Sequence, residues 1–354
     1  MTPKTIVFFL PLLTSGGAER VTINILNQLD IDKYTIHLIL GTLEGTGRHL
    51  LPSHIKVHNL NSPRTLFSVV KLRKKISQIN PDIIFSSLNR AHIALNLSLF
   101  AKRNRPKVIM RIPSSPKLIA KYNEMGKGFK FLLNQALANA DKIIVQTPEM
   151  LEEVNIYHKI NKDKIKIFLN PIDTKDIDKK SQEPCTLLDK QKINVIASGR
   201  LQQEKGYDIL IEAFKEVYTQ NKRFRLFIIG EDVLGEQKKY EAQINELKLD
   251  GVVSFLGFQT NPYKFYQQSD LFVLSSRREG LPNTVLENLY LQKPIVATTC
   301  IPFMHTLIEN GKNGLLVPVE DSQALANALL NFKTLDSKYQ TITFNSQSVN
   351  EIFS

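Results

Sequence analysis

Short apolar runs rich in β-branched and aromatic residues recur along the chain, separated by segments whose apolar positions repeat every three or four residues. In the first half the runs are TIVFFL (5–10), TIHLIL (35–40), IKVHNL (55–60), DIIFSS (82–87), KVIMRI (107–112) and KIIVQT (142–147). Between them lie helical spacings such as Val21, Ile25 and Leu29, or Leu66, Val69, Val70 and Leu72. Strand and helix in steady alternation predict a parallel sheet covered on both faces. After the polar stretch DTKDIDKKSQEP (173–184) the pattern restarts with INVIAS (193–198), RLFIIG (225–230), VVSFLG (252–257), DLFVLS (270–275) and PIVATT (294–299). The sequence therefore predicts an α/β protein of two Rossmann-like, doubly wound domains, residues 1–175 and 190–330. Their strand ends are expected to face a common cleft, where ligands of such sheets bind. Residues 331–354 are polar and weakly periodic, and suggest no more than a last helix.

A length of 354 residues fits two domains of ordinary size, and 42% hydrophobic with 23% charged residues is normal for soluble globular material. The early run IVFFLPLL is short, broken by Pro11 and followed by TSGGAER, so it reads as a first buried strand and not as a secretion signal. No apolar run approaches the roughly 20 residues of a membrane span. The two cysteines, Cys185 and Cys300, have neither CxxC spacing nor flanking histidines, which points away from a disulfide framework or a zinc site and fits a reducing cytoplasm. The net charge of +12 is uneven: residues 1–180 hold 28 Lys+Arg against 14 Asp+Glu, and the remainder 18 against 20. A basic first half favours a phosphorylated ligand, an anionic lipid surface or a nucleic acid.

Three segments carry candidate chemistry. TSGGAERV (14–21) joins the first strand to a helix, where Gly16 and Gly17 permit close backbone approach and the helix start favours an anion; on its own such a turn is more often structural. SGRLQQEKG (198–206) leaves the first strand of the second half with Arg200 and Lys205, a planar donor and a mobile point charge suited to a diphosphate; two solvated cations are the plain alternative. REGLPNTVLEN (278–288) follows the strand DLFVLS, with Glu279 at the strand end and Glu287 about a turn into the next helix, both able to accept hydroxyl hydrogen bonds.

Together with NPID (170–173), KPIVAT (293–298) and ENGKNGLLVP (309–318), these segments resemble the family 4, or group 1, glycosyltransferases. The likeness runs from residue 5 to about 330, with motifs in the family's order and spacing. It implies a GT-B fold and retaining, metal-independent transfer of a hexose from a nucleotide sugar, a UDP-sugar by expectation, with no cofactor. By motif match, Arg200 and Lys205 would hold the donor diphosphate, with Glu279 on the transferred sugar and Glu287 on the ribose. Gly199 and the segment Gly280, Leu281, Pro282, Asn283 and Thr284 would line the donor site, and Gly17 would approach the phosphates from the opposite domain. Catalysis is expected from Glu279, Arg200 and Lys205, and acceptor contacts from Gly16, His92 and Arg111, the last for a pyrophosphate.

Three departures from the family pattern stand out. Asp232 occupies a position often held by Gly, Thr306 lies in CIPFMHTLIENG where a Gly pair and a Glu are common, and the last helix ends early. Asp176-Ile177-Asp178 spells DxD but sits among lysines in the linker, which reads as coincidence. The segments 69–79 and 117–133 mix cations with apolar residues, as suits a surface lying on anionic lipid. The expected acceptor is a growing glycan or one carried on a polyprenyl diphosphate, in surface polysaccharide synthesis, at the cytoplasmic face of the cell membrane. A nucleic-acid binder would interleave aromatics with its basic runs, and Trp is absent here. A noncatalytic nucleotide-sugar-binding partner subunit is the alternative reading.

Overall fold

The computed structural model describes all residues except 1–2, 14–15, 46, 48–49, 122–125, 337 and 345–346. The start of the 14–21 turn, the middle of the basic segment 117–133 and parts of the 331–354 tail thus lie outside the described residues. The chain divides into two compact units, Met1–Pro171 with Asn345–Ser354, and Ile172–Phe344.

The first unit is built on a parallel sheet of β1 (Lys4–Leu10), β2 (Tyr34–Leu40), β3 (Lys56–Asn59), β4 (Ile83–Ser86), β5 (Lys107–Arg111), β6 (Lys142–Val145) and β7 (Ile165–Ile167), in the order β3-β2-β1-β4-β5-β6-β7. The second has β8 (Ile193–Ser198), β9 (Phe224–Ile229), β10 (Val253–Gly257), β11 (Leu271–Leu274), β12 (Ile295–Thr298) and β13 (Gly314–Val317), in the order β10-β9-β8-β11-β12-β13. Every pairing in both sheets is parallel. Central strands read as near-continuous apolar runs because helices cover both faces: Ile6 to Leu10 and Ile83 to Phe85 are all buried. In each sheet the strand order reverses beside the first strand, between β1 and β4 and between β8 and β11. At such a reversal the two connecting loops leave in opposite directions and a crevice opens at the carboxyl ends of the strands.

The short strands β7 and β13 were not among the runs read from the sequence; three or four residues at a sheet edge give too little pattern to separate from loop. The end of the chain forms a helix, Asn350–Phe353, that belongs to the first unit. Phe353 packs among the rings of Phe8 and Phe85, at centroid distances of 5.7 and 5.8 Å. Lys107 and Lys142 donate to the carbonyls of Ser354 and Ile352, meeting the negative end of that helix. Asp176 and Asp178 lie on the helix Thr174–Ser181, where Asp176 pairs with Lys180 at 2.9 Å and Asp178 accepts from the Tyr290 hydroxyl at 2.9 Å.

Candidate active site

At the reversal point of the second sheet, the loop after β8 and the loop after β11 meet. The first carries Gly199, Arg200 and Lys205, and passes through a 3₁₀ turn, Gln203–Lys205, into the helix Tyr207–Gln220. The second carries Ser276 and Glu279 and runs into the helix Asn283–Tyr290. Lys205 Nζ donates to Glu279 Oε1 at 2.7 Å, and Ser276 Oγ donates to the same oxygen at 2.7 Å. Glu279 Oε2 has no partner among the described residues. The pair is largely withdrawn from water, so its attraction is screened less than that of a surface ion pair. Tyr207 lies buried beneath, its hydroxyl donating to the Gly199 carbonyl at 2.9 Å and thereby fixing the start of the Arg200 loop. Burial first, and then the Glu279 carboxylate, push the Cys300 thiol up to about 12, so it stays protonated and adds no charge to the site.

The helix Asn283–Tyr290 begins with Pro282 at its cap, a side chain that accepts no hydrogen bond, and Gly280 and Leu281 lead into it. Its N-terminal end, with Asn283 and Thr284 in the first turn, keeps the positive end of the helix dipole directed out of the sheet. Glu287 is buried one turn along, and Tyr263 Oη donates to its Oε1 at 3.3 Å. Asp232, after β9, serves its own loop. Its two carboxylate oxygens accept from the backbone N–H groups of Glu236 and Gln237 at 2.8 and 3.2 Å, capping the helix Gln237–Glu246. Around Thr306, the residues Ile301, Phe303, Met304, Leu307 and Ile308 are buried in and beside a short helix, Met304–Leu307, on which Thr306 is exposed.

In the first unit, Gly16 caps and Gly17 opens the helix Gly17–Gln28. Arg111, the last residue of β5, is buried; its Nη1 donates to Ser87 Oγ at 3.1 Å and its Nη2 to Asn170 Oδ1 at 2.6 Å. Burial pulls its pKa down to about 9 while Glu19 opposes the fall, so the guanidinium stays charged at neutral pH. His92 is fully buried and has both ring nitrogens engaged by the protein. Nε2 faces the Arg111 carbonyl at 3.1 Å, which can only accept, so Nε2 carries the proton and Nδ1 receives the Ser86 hydroxyl at 2.7 Å. His92 therefore holds the end of β5, and with it Arg111, and leaves no ring nitrogen for an acceptor; a helix-start histidine in a sequence does not disclose that it points into the sheet.

Burial depresses the His92 pKa to about 3, from an ordinary 6.5. The folded chain then binds fewer protons at this ring than the unfolded chain. Its contribution to stability is full above pH 6.5 and is lost as the pH falls toward 3. His92→Phe is expected to cost about 1–3 kcal/mol at pH 7 by leaving the Ser86 hydroxyl and the Arg111 carbonyl unpaired. It should also flatten the loss of stability below pH 6.5, as read from urea midpoints across that range.

Two family models cover nearly the whole chain: Glycosyltransferase Family 4 over residues 15–176 and Glycosyl transferases group 1 over 178–348. An N-acetylgalactosamine-N,N'-diacetylbacillosaminyl-diphospho-undecaprenol 4-alpha-N-acetylgalactosaminyltransferase of Campylobacter jejuni is 30% identical over 331 residues, spanning 91% of this chain and 88% of that one. The chain belongs to the family 4 glycosyltransferases. A second Campylobacter jejuni enzyme, a GalNAc-alpha-(1->4)-GalNAc-alpha-(1->3)-diNAcBac-PP-undecaprenol alpha-1,4-N-acetyl-D-galactosaminyltransferase, is 24% identical over 92% of this chain and 87% of its own. Among solved structures, HepE of Anabaena in complex with UDP and glucose superposes with a TM-score of 0.76, at 23% identity, over 94% of this chain and 92% of that one. The two parallel-sheet units of this glycosyltransferase are those of the GT-B fold.

Lys205 and Glu279 are in direct contact in the second unit, with Arg200 on the same loop as Lys205 and Glu287 on the helix that follows Glu279. Gly16 and Arg111 belong to the first unit, at the carboxyl end of its sheet. Sequence reasoning passed over Ser276, Tyr207 and Tyr263 of this glycosyltransferase. A hydroxyl three residues before Glu279 and a tyrosine directly after Gly206 were visible in the string, but only the fold shows what their hydroxyls reach.

Proposed function

We propose that this glycosyltransferase moves a hexose, with retention and without a metal, from a UDP-sugar to a glycan carried on a polyprenyl diphosphate, at the inner face of the cell membrane in surface polysaccharide synthesis. The observation that carries the donor half is the meeting of Lys205 and Glu279 beside the start of the helix Asn283–Tyr290 at the reversal point of the second sheet. Departure of a nucleoside diphosphate builds negative charge on the leaving oxygen. Arg200, Lys205 and the first turn of the helix Asn283–Tyr290 stand ready to meet it, and fixed charges of this kind act without reorganising during the reaction. Lys205 has Glu279 as its counter-ion until phosphate oxygens replace it. Ser276 then keeps the carboxylate in place, with Oε2 directed to sugar hydroxyls, while Glu287 receives the ribose.

For the acceptor half, the buried Arg111 cation donates to the neutral oxygens of Ser87 and Asn170 and also feels the Glu19 carboxylate, and its charge at the carboxyl end of the sheet supports a role on an anionic group of the acceptor. The Campylobacter relatives are named for undecaprenol-linked diphosphate acceptors, and HepE was solved with UDP and glucose. Membrane contact is supported by a mixed apolar and basic face on the first unit. Phe67 (71% exposed), Val70 (77%), Phe100 (77%) and Phe131 (62%) stand out beside Lys71, Lys74, Lys102, Arg103 and Lys130. No helix among the described residues is long and apolar enough to cross a membrane, so attachment would be peripheral.

The test is a thermal-shift panel with UDP-, GDP- and ADP-sugars, together with sedimentation on vesicles. UDP-sugars are expected to raise the melting temperature, and vesicles containing phosphatidylglycerol to carry down more protein than phosphatidylcholine vesicles. No shift with any donor at saturating concentration removes the donor assignment, and equal sedimentation on both vesicles removes the electrostatic attachment.

A further inference from the structure

Two residues before Glu279, Arg277 engages all five N–H groups of its guanidinium. Nη1 and Nη2 form a fork on Asp208, at 2.8 Å to Oδ1 and 2.7 Å to Oδ2. The second hydrogen of Nη1 goes to the Gln203 carbonyl at 2.6 Å. Nε and the second hydrogen of Nη2 reach the two carboxylate oxygens of Glu320, the latter at 3.1 Å. Asp208 first, and then Glu320, hold the guanidinium pKa above its already high ordinary value. A planar, five-donor group with every donor used has one orientation available to it.

The partners of Arg277 bracket Lys205: Gln203 lies two residues before it, and Asp208 three residues after it in the first turn of the helix Tyr207–Gln220. Glu320 comes from a third loop, after β13. The backbone repeats the connection, with the Arg277 N–H donating to the Glu204 carbonyl at 2.8 Å, and Arg278 Nη2 adds a bond to Glu204 Oε1 at 2.6 Å. A surface ion pair alone would contribute little, but the Arg277–Asp208 pair is bidentate, mostly covered and part of a network of charges, which makes it the exception.

We propose that Arg277 is a positioning residue of the donor site: it locks the loop bearing Lys205 to the loop bearing Glu279, so that the ammonium meets the diphosphate at a fixed place. This rests on the donor reading above. The direct link between the two loops, Lys205 to Glu279, runs through a flexible four-carbon stem and is the one that must break when phosphate arrives. At that moment the Arg277 bonds to Asp208, Gln203 and Glu320 hold the register of the loops together with the bonds to Glu204 and that of Ser275 Oγ to the Lys205 carbonyl at 2.8 Å, and Arg277 also ties in the loop after β13. A lysine in place of Arg277 keeps the charge but cannot bridge three loops at once.

The experiment measures the dissociation constant for UDP by calorimetry, with GDP and ADP alongside, for the full chain and for Lys205→Ala, Arg277→Lys, Asp208→Asn and the double variant Lys205→Ala with Arg277→Lys, each with its melting curve. Arg277→Lys and Asp208→Asn are expected to weaken UDP binding about tenfold, in the range that small misplacements of a positioned group produce. In the Lys205→Ala background, Arg277→Lys should add less than about twofold, because a residue acting through Lys205 has nothing left to position. A folded Arg277→Lys protein that binds UDP as the unaltered chain does overturns the proposal. So does a tenfold loss that persists in the Lys205→Ala background, which would mean a general effect on the fold. If the unaltered chain binds no nucleotide, or Lys205→Ala changes none of the three affinities, the donor reading itself fails. Asp208→Asn, close in shape to the native residue, provides the measurement if Arg277→Lys does not fold.

Discussion

Replacing Lys205 or Glu279 by alanine is expected to lower the rate of sugar transfer about 10²- to 10³-fold while leaving a folded protein. That factor is what removing one fixed electrostatic contact to a developing charge typically costs. On the proposed donor reading, Lys205→Ala takes away the cation that would meet the leaving diphosphate, yet it leaves Glu279 held by Ser276, so the loop has no reason to collapse. On the same reading, Glu279→Ala takes away the carboxylate that would receive the sugar, and frees Lys205 to pair with phosphate. In this second case donor binding should survive better than transfer. The loss of the ion pair itself should cost about 1–3 kcal/mol of stability, because the pair is largely withdrawn from water and a charge-assisted hydrogen bond is lost with it. Single-turnover rates with a saturating donor, set beside melting curves, read both quantities. A Lys205→Ala protein retaining more than a tenth of the native rate would remove Lys205 from the chemistry.

Gly206→Ala should be strongly damaging for so small a substitution. Gly206 has φ of +63°, and a Cβ there would stand 2.2 Å from the Ser275 carbonyl oxygen. The conformation alone costs a non-glycine residue about 1–3 kcal/mol. The overlap adds to this, because backbone of the opposite loop cannot rotate aside as a side chain would. Gly311 provides the internal comparison: its φ is +84°, and nothing lies within 4 Å of where an alanine methyl group would stand. Gly311→Ala is therefore expected to show the conformational cost by itself. Urea midpoints of the two variants give the cost of the overlap by difference, and equal midpoints would mean that the two loops separate freely. Since Lys205 directly precedes Gly206, the substitution should also weaken donor binding, which Gly311→Ala should not.

The strands that form the middle of each sheet were legible because burial on both faces forces long apolar runs, and the site loops were legible because they leave the ends of those strands. Arg200, Lys205, Glu279 and Glu287 were named as candidates from spacing and resemblance for that reason, and the structure brings Lys205 and Glu279 into contact. What could not be read was direction. His92 follows a strand and starts a helix, as a ligand contact would, but its ring turns inward to the Arg111 carbonyl. Asp232 stood out only as a departure from the family pattern, and the structure shows it accepting from the backbone N–H groups of Glu236 and Gln237 as a helix cap. Arg277 and Arg278 drew no reading at all, since nothing in a linear string connects them to Asp208, Glu204 or Glu320. A last helix within 331–354 was expected, but four residues carry too little period to place it or to show what it packs against. Its partners, Phe8 and Phe85, lie more than 260 residues earlier in the chain.

That remote partnership bears on how the molecule is made. Synthesis runs from the amino terminus, so the ribosome has released nearly the whole of the second unit before Ile352 and Phe353 emerge to seat against β1 and β4. Until then the nascent first unit carries an apolar depression in its sheet, open to whatever binds unfinished chains.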